Sequence, residues 1–234
     1  MNKIDALHQL KAEIELNTQG SDLAATATQL VMGEGNVDAN VVFIGEAPGK
    51  KEDETGRPFV GASGRFLNEM LESVGMNRDN VYITNIVKYR PPDNREPTKD
   101  EKRRYLPYLM RQLEIIQPKI IMTLGRHSGM NFIPDLVISR DHGNAQTISI
   151  DGRELVIIPL YHPAAALYNG SMRQVLLDDF AAAVQQAHWC NSNSVYMRWS
   201  LLFLCQVATV KPLQTGSQAD NNTLNHLHLV NIFK

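Results

Sequence analysis

Three short segments concentrate the residues of this chain that could do chemistry. The first, GEAPGKKEDETGRPFVGASG, runs from Gly45 to Gly64. Five glycines and two prolines in twenty residues make a loop whose backbone can come close to a ligand. It has neither the GxGxxG spacing nor a Gly-Lys followed by Ser or Thr, so it does not read as a nucleotide phosphate loop. It carries acids instead: Glu46, Glu52, Asp53 and Glu54. A carboxylate at a strand end can orient water or stabilise a cationic transition state. Phe59, between Pro58 and Val60, has two open roles. It could offer an aromatic face to a planar ligand, or simply pack in the core.

The second segment is TNIVKYRPPDNREP, Thr84 to Pro97. An Asn amide places a donor beside an acceptor, which suits reading a base edge. Asn85 equally suits a cap or a turn, and both roles stay open. Residues 88–104 hold Lys88, Arg90, Arg95, Lys99, Lys102, Arg103 and Arg104 against four acids, which leaves the stretch at +3. Such a patch fits phosphate contacts, with a solvated helix face as the alternative for 99–104. The third segment is YHPAAAL, Tyr161 to Leu167. His162 precedes Pro163, which narrows its backbone freedom. It could donate to a developing anion, or bond a backbone carbonyl as a structural group.

These segments need elements to hold them. Ile4, Leu7, Leu10 and Ile14 recur at steps of three and four, which predicts an amphipathic helix over 3–16. Residues 17–40 read mostly as loop. VVFIG (Val41 to Gly45) is an apolar run of the kind buried on both faces of a parallel sheet. A loop to Gly61 follows, then a helical pattern through Phe66, Leu67, Met70, Leu71 and Val74, with Gly75 as its stop. Asn80 to Val87 and Lys119 to Gly125 predict strands, and Asp100 to Gln117 a helix. Gly125 to Phe132 reads as a short helix. TISI and ELVIIPL, joined by Asp151-Gly152, predict a strand pair or sheet edge. A helix is expected over 171–188. Strands alternating with helices imply an α/β fold with a largely parallel sheet. Ligands of such sheets bind beyond the carboxyl ends of the strands, which points to Gly45–Ala47, Asn85 and Tyr161–His162.

Composition bounds what these residues could serve. The chain has 234 residues, 43% hydrophobic and 21% charged, as expected of one globular domain rather than a disordered chain. A net charge of −2 supplies no global attraction for nucleic acid, so any such contact needs the local patch above. Two cysteines, Cys190 and Cys205, exclude a disulfide framework and any four-cysteine metal or cluster site. The N-terminus is too charged for a signal-peptide core, and no apolar run is long enough to span a membrane. A cytoplasmic location is expected. Residues 1–189 are taken as one domain. The last 45 residues, 190–234, carry only four charges and no clear period. They read as an appendage outside the core, possible disorder included, or as a strand and helix packed on the sheet.

The three segments together resemble the family 4 uracil-DNA glycosylases, within the uracil-DNA glycosylase superfamily. The resemblance runs through GEAPGKKEDETGRPFVGASG, NIVKYRPPDNREP, PYLMRQLEIIQPKIIMTLG and HPAAAL, and covers 5–188. It implies a three-layer α/β/α sandwich around a four-stranded, mainly parallel sheet. It implies a repair enzyme that binds uracil-containing DNA, single- or double-stranded, and hydrolyses the N-glycosidic bond as a monomer. Phe59 would stack on a flipped uracil and Asn85 would pair with its edge. Backbone groups of Gly45, Glu46 and Ala47 would hold the base, and His162 would donate to O2. Glu46 would orient water or steady the sugar cation, and Glu52 would exclude the thymine methyl. Lys88, Arg90 and Arg95 would contact DNA. The family holds a four-iron, four-sulfur cluster on four cysteines; spacing puts those positions at Thr18, Ser21, Tyr89 and Tyr105. Hydroxyls and phenols do not normally replace thiolates there, so no cluster and no other cofactor is expected. VKYRPPDN lacks the basic insertion and His of a relative that captures uracil-DNA covalently. Two other readings compete: a DNA-binding member without catalysis, and a hydrolase of free nucleosides or nucleotides.

Overall fold

A computed structural model describes residues 1–150 and 152–189. Both cysteines and both readings of the 190–234 tail fall outside the described residues. The sheet is six-stranded, in the order β1-β3-β2-β4-β6-β5. Its strands are β1 (Glu34–Gly35), β2 (Val41–Gly45), β3 (Tyr82–Asn85), β4 (Ile120–Leu124), β5 (Gln146–Ile150) and β6 (Arg153–Leu160). The inner four, β3-β2-β4-β6, run parallel, and β1 and β5 add antiparallel edges. The expected four-stranded sheet is therefore the parallel centre of a larger mixed one. β1 escaped the sequence because two residues carry no period, and its Gly33 and Gly35 neighbourhood reads as loop. β5 completes the hairpin that TISI and ELVIIPL predicted, with Ile150 paired to Arg153 and Gly152 in the left-handed region.

Strand alternation sorts the core into two sides. Val42, Ile44, Ile121 and Ile157 point toward α1 (Lys3–Thr18) and α5 (Lys99–Ile116), meeting Leu7, Leu10, Ile14, Leu109 and Leu113. Phe43, Met122, Ile158 and Leu160 point the other way. They meet Phe66, Leu67 and Met70 of α4 (Ala62–Ser73) and Leu176 and Phe180 of α9 (Ser171–Trp189). Each such buried side chain contributes roughly 1.5–3 kcal/mol. Helices on both faces of the sheet make the α/β/α sandwich.

The ends of these helices are written into the sequence. Thr98 and Glu101 form a capping box at the start of α5, and Gln117 closes it in the left-handed region. Gly75, also left-handed, follows α4 as predicted. Short elements were not legible: α2 (Asp22–Thr26), and α3 (Lys50–Thr55) inside the glycine-rich loop. The same holds for α7 (Ile138–Asp141) and α8 (Ala165–Tyr168), whereas α6 (Arg126–Gly129) falls inside the predicted 125–132 helix. One to two turns give too few residues for a period to show. Among the described residues no helix is long and apolar enough to cross a membrane.

Candidate active site

Parallel pairing brings the carboxyl ends of the inner strands to one edge of the sheet. Gly45 at the end of β2 is in register with Asn85 at the end of β3. The pairing continues past both strands, with Ile86 N–H donating to Gly45 O (2.9 Å) and Val87 N–H to Glu46 O (3.1 Å). A Cβ on Gly45 would lie 2.3 Å from Asn85 Oδ1 and 2.6 Å from Phe59 Cζ. Only glycine lets the amide and the ring converge there. Asn85 is fully buried, and its Oδ1 has no hydrogen-bond partner. Leaving a buried amide acceptor unpaired costs about 1–3 kcal/mol, so this site asks for a donor.

Phe59 is held in a conformation that a phenylalanine rarely adopts, with φ +50°. Such a backbone costs on the order of 1–3 kcal/mol and persists only when its surroundings enforce it. A Cβ on Gly64 would fall 1.8 Å from Phe59 O, so the start of α4 can pack here only as glycine. Glu52 accepts from the N–H groups of Val60 (2.9 Å) and Gly61 (2.8 Å). Arg78 donates to Pro58 O at 2.7 Å, to Asn68 Oδ1 at 2.9 Å and to Glu34 at 2.7 Å. Buried Asp53 ties the same loop to Thr28 through its backbone N–H and hydroxyl, both at 2.8 Å. Glu52 thus acts first as a brace of the loop that carries Phe59.

His162 follows β6, and its ring lies 5.9 Å from that of Phe59 at 33°. Gly125, after β4, gives it room: a Cβ there would sit 3.2 Å from His162 Cβ. Ala164 N–H donates to His162 Nδ1 at 3.1 Å. A nitrogen that accepts carries no proton, so the neutral ring keeps its proton on Nε2. Burial pulls the imidazole down to about 4, against a smaller opposing pull from Glu52. At neutral pH it is a neutral donor.

Glu46 lies just past Gly45 and forms an ion pair with Lys102 at 2.7 Å. The basic stretch behaves differently from its charge count. Lys88 was expected to contact DNA, and that expectation is corrected: its ammonium is sealed inside the fold. It donates to Thr84 Oγ1 (2.7 Å), Gln112 Oε1 (2.7 Å) and Asn85 O (2.9 Å). Burial lowers it to about 7. Its carbonyl and amide neighbours make it a prop beneath Asn85 rather than a surface cation. Arg90 donates to Asn94 Oδ1 at 2.7 Å, and Arg95 forks onto Glu101 at 2.6 and 2.8 Å. Lys99 and Arg104 of α5 and Arg126 at the start of α6 are exposed. Lys102 and His127 were missed as neighbours of Glu46, because nothing local links positions 46, 102 and 127.

Thr18, Ser21, Tyr89 and Tyr105 do come together. The tyrosine rings are 6.1 Å apart, edge to face, and Thr18 and Ser21 lie beside the Tyr105 phenol. Thr18 donates instead to Ile14 O at 2.6 Å, and the buried Tyr105 hydroxyl has no well-formed hydrogen bond. Burial raises both phenols, away from the ionised form a metal would need. These four groups offer no thiolate, and two bulky rings occupy the space between them. The donor set does not fit an iron–sulfur cluster.

A family model described as the uracil DNA glycosylase superfamily matches residues 32–187. The type-4 uracil-DNA glycosylase of Sulfurisphaera tokodaii is 45% identical over 186 residues, 76% of this chain and 83% of that protein. That of Archaeoglobus fulgidus is 44% identical over 183 residues, 76% of this chain and 91% of the relative. That of Saccharolobus solfataricus is 48% identical over 156 residues, covering 64% and 72%.

Proposed function

The chain belongs to the uracil DNA glycosylase superfamily, in its type-4 family, and on that premise we propose how it cleaves uracil from DNA. The reaction hydrolyses the N-glycosidic bond and leaves an abasic site. The uridine nucleotide swings out of the stack at a cost of a few kcal/mol, about the price of one unstacking event. Its base enters the slot over Gly45 and stacks on Phe59. Asn85 Oδ1 accepts from uracil N3–H, and its NH₂ group donates to O4. The unpaired, buried Oδ1 is the single observation that carries this reading. Cytosine presents an acceptor at N3 and a donor at N4. It would leave both ends of the amide unpaired, a penalty on the order of 10⁴-fold.

As the C1′–N1 bond breaks, its electron pair goes to uracil. His162 Nε2–H donates to O2 as charge collects there, and its neutral state makes it a donor without an ion to desolvate. Glu46 orients the water that adds to C1′ or steadies the cationic sugar. Backbone groups of Gly45, Glu46 and Ala47 complete the slot, and Glu52 stands on its C5 side against a methyl group. Arg90, Arg95 and the exposed Lys99 and Arg104 meet the phosphates. Leu167 and Tyr168, exposed five and six residues after His162, extend the DNA face. The slot is built within one chain, which fits a monomer, and its substrate fits a cytoplasmic enzyme. No step passes through a metal or diffusible cofactor.

The test compares a uracil oligonucleotide with free deoxyuridine and with cytosine- and thymine-containing oligonucleotides, and assays released base. Uracil release from the oligonucleotide alone is expected. Faster release from the free nucleoside would move the activity to a nucleoside hydrolase. Binding of uracil-DNA with no release would make the protein a binder.

A further inference from the structure

A dense group of titratable side chains lies beside the base slot, where four segments meet. These are the loop after β2, the loop before α5, α5 itself and α6. Lys102 Nζ stands 2.7 Å from Glu46 Oε1 and 3.0 Å from Glu96 Oε1. His127 Nδ1 stands 2.9 Å from Glu96 Oε1, 3.9 Å from Glu46 Oε1 and 3.5 Å from Lys102 Nζ. Lys102 is the most enclosed, with its side chain 16% exposed against 55% for Glu96. Glu46, Glu96 and His127 bring ligand atoms within 4.8 Å of one another, as a metal site would. The ammonium, however, already pairs with both carboxylates, as an ion pair with Glu46 Oε1 and a hydrogen bond to Glu96 Oε1. The cluster therefore reads as a clamp with its own cation.

We propose that Lys102 is a positioning residue for the glycosylase reaction: its ammonium fixes the Glu46 carboxylate, and Glu96 and His127 fix the ammonium. This rests on the glycosylase reading given above. A lysine on a flexible stem positions nothing unless its backbone is fixed. Here the capping box and the Arg95–Glu101 fork pin the first turn of α5, from which Lys102 projects. Two carboxylates share one cation, so the outer one keeps Lys102 from turning to solvent or to a phosphate. Burial alone would lower the lysine, but its bonds to Glu46 and Glu96 outweigh that and hold it above the ordinary value. The Lys102 bond holds Glu96 below the usual carboxylate range, with His127 and Arg126 adding to it. The charged groups around Glu46 are thus Lys102 from α5, His127 from α6 and Glu96 from the intervening loop. A carboxylate deprived of that cation would be protonated more readily.

Single-turnover cleavage of a uracil oligonucleotide, with wild type, Lys102→Gln and Lys102→Arg across about pH 5–9, tests the clamp. Affinity is read in parallel with an oligonucleotide carrying a non-hydrolysable 2′-fluoro uridine, and folding by thermal melting. Lys102→Gln should lose at least about tenfold in rate with little change in affinity, and its acidic limb should move to higher pH. Lys102→Arg should recover most of the rate. An unchanged rate, or equal losses of rate and affinity with the limb in place, would overturn the proposal in favour of a phosphate contact. A second readout needs no turnover: crystal structures of wild type and Lys102→Gln. The Glu46 carboxylate should leave its wild-type position in Lys102→Gln and, if that variant does not fold, in Lys102→Met. An unmoved Glu46 would sink the clamp. Wild-type protein that cleaves nothing would instead refute the glycosylase reading, and the structures would still decide the contact.

Discussion

Two buried polar sites in this protein treat an unpaired oxygen in opposite ways. At the strand ends, Asn85 Oδ1 is left without a donor, beside Gly45 and the Phe59 ring, which in turn faces the His162 imidazole. At the seam between α1, the basic segment and α5, the Tyr105 hydroxyl also lacks a well-formed bond, but Tyr89, Thr18 and Ser21 crowd it. At the first, the bare Gly45 lets the Asn85 amide and the Phe59 ring converge at the carboxyl ends of the strands. At the second, the four side chains close on one another. An unsatisfied buried group points to a binding site where it stands at the carboxyl ends of parallel strands, and not where neighbouring side chains close over it.

Changes at the first site should be costly in rate, and changes at the second should be felt mainly in stability. His162→Ala, with its fold kept, should lower single-turnover cleavage by about 10²–10³-fold, since it removes the donor to the leaving base. A rate within threefold of wild type, roughly 0.6 kcal/mol, would remove His162 from the mechanism. Gly45→Ala should lower cleavage by about 10²-fold by displacing the Asn85 amide and the Phe59 ring, read beside a melting curve that shows a folded protein. Gly64→Ala, which underlies Phe59 in the first site, should lower the rate and also cost about 2–4 kcal/mol in denaturant unfolding, because its methyl meets the Phe59 backbone oxygen. Tyr105→Phe should change stability by less than about 1 kcal/mol in either direction, since it removes a hydroxyl with no good partner. A large loss there would show that the seam depends on that oxygen after all.

His162 also predicts a pH effect on stability. Its folded value of about 4 lies below an unfolded value near about 6.5. Between those limits the unfolded chain takes up a proton that the folded one refuses, so stability from this group rises with pH across that window. Below the folded value both states are protonated and the contribution is lost. His162→Gln should flatten this part of the melting-temperature profile.

Much of the slot was legible in the sequence because its residues stand at strand ends or in one glycine-rich loop. Gly45, Asn85 and His162 follow apolar runs whose type and order imply parallel strands, and the loop composition drew attention to Phe59. Its strained backbone was not legible, since it depends on Gly64 and on Arg78 reaching Pro58 O. Lys88 was misplaced because counting charges ignores facing. Every residue from 81 to 89 is buried, and the cage of Thr84 and Gln112 forms only when α5 packs on the sheet. β1 was too short to show, so the sheet gained an edge that the sequence did not announce. The Glu46–Lys102 pair joins positions 56 residues apart through tertiary packing alone.

The central claim is that Asn85 reads the base. Single-turnover assays of wild type and Asn85→Ala on single- and double-stranded uracil oligonucleotides, with alkali to reveal abasic sites, test it most directly. Cleavage by wild type and a loss of at least about 10³-fold in the variant, both proteins folded, are expected. Equal rates in the two proteins would contradict the claim.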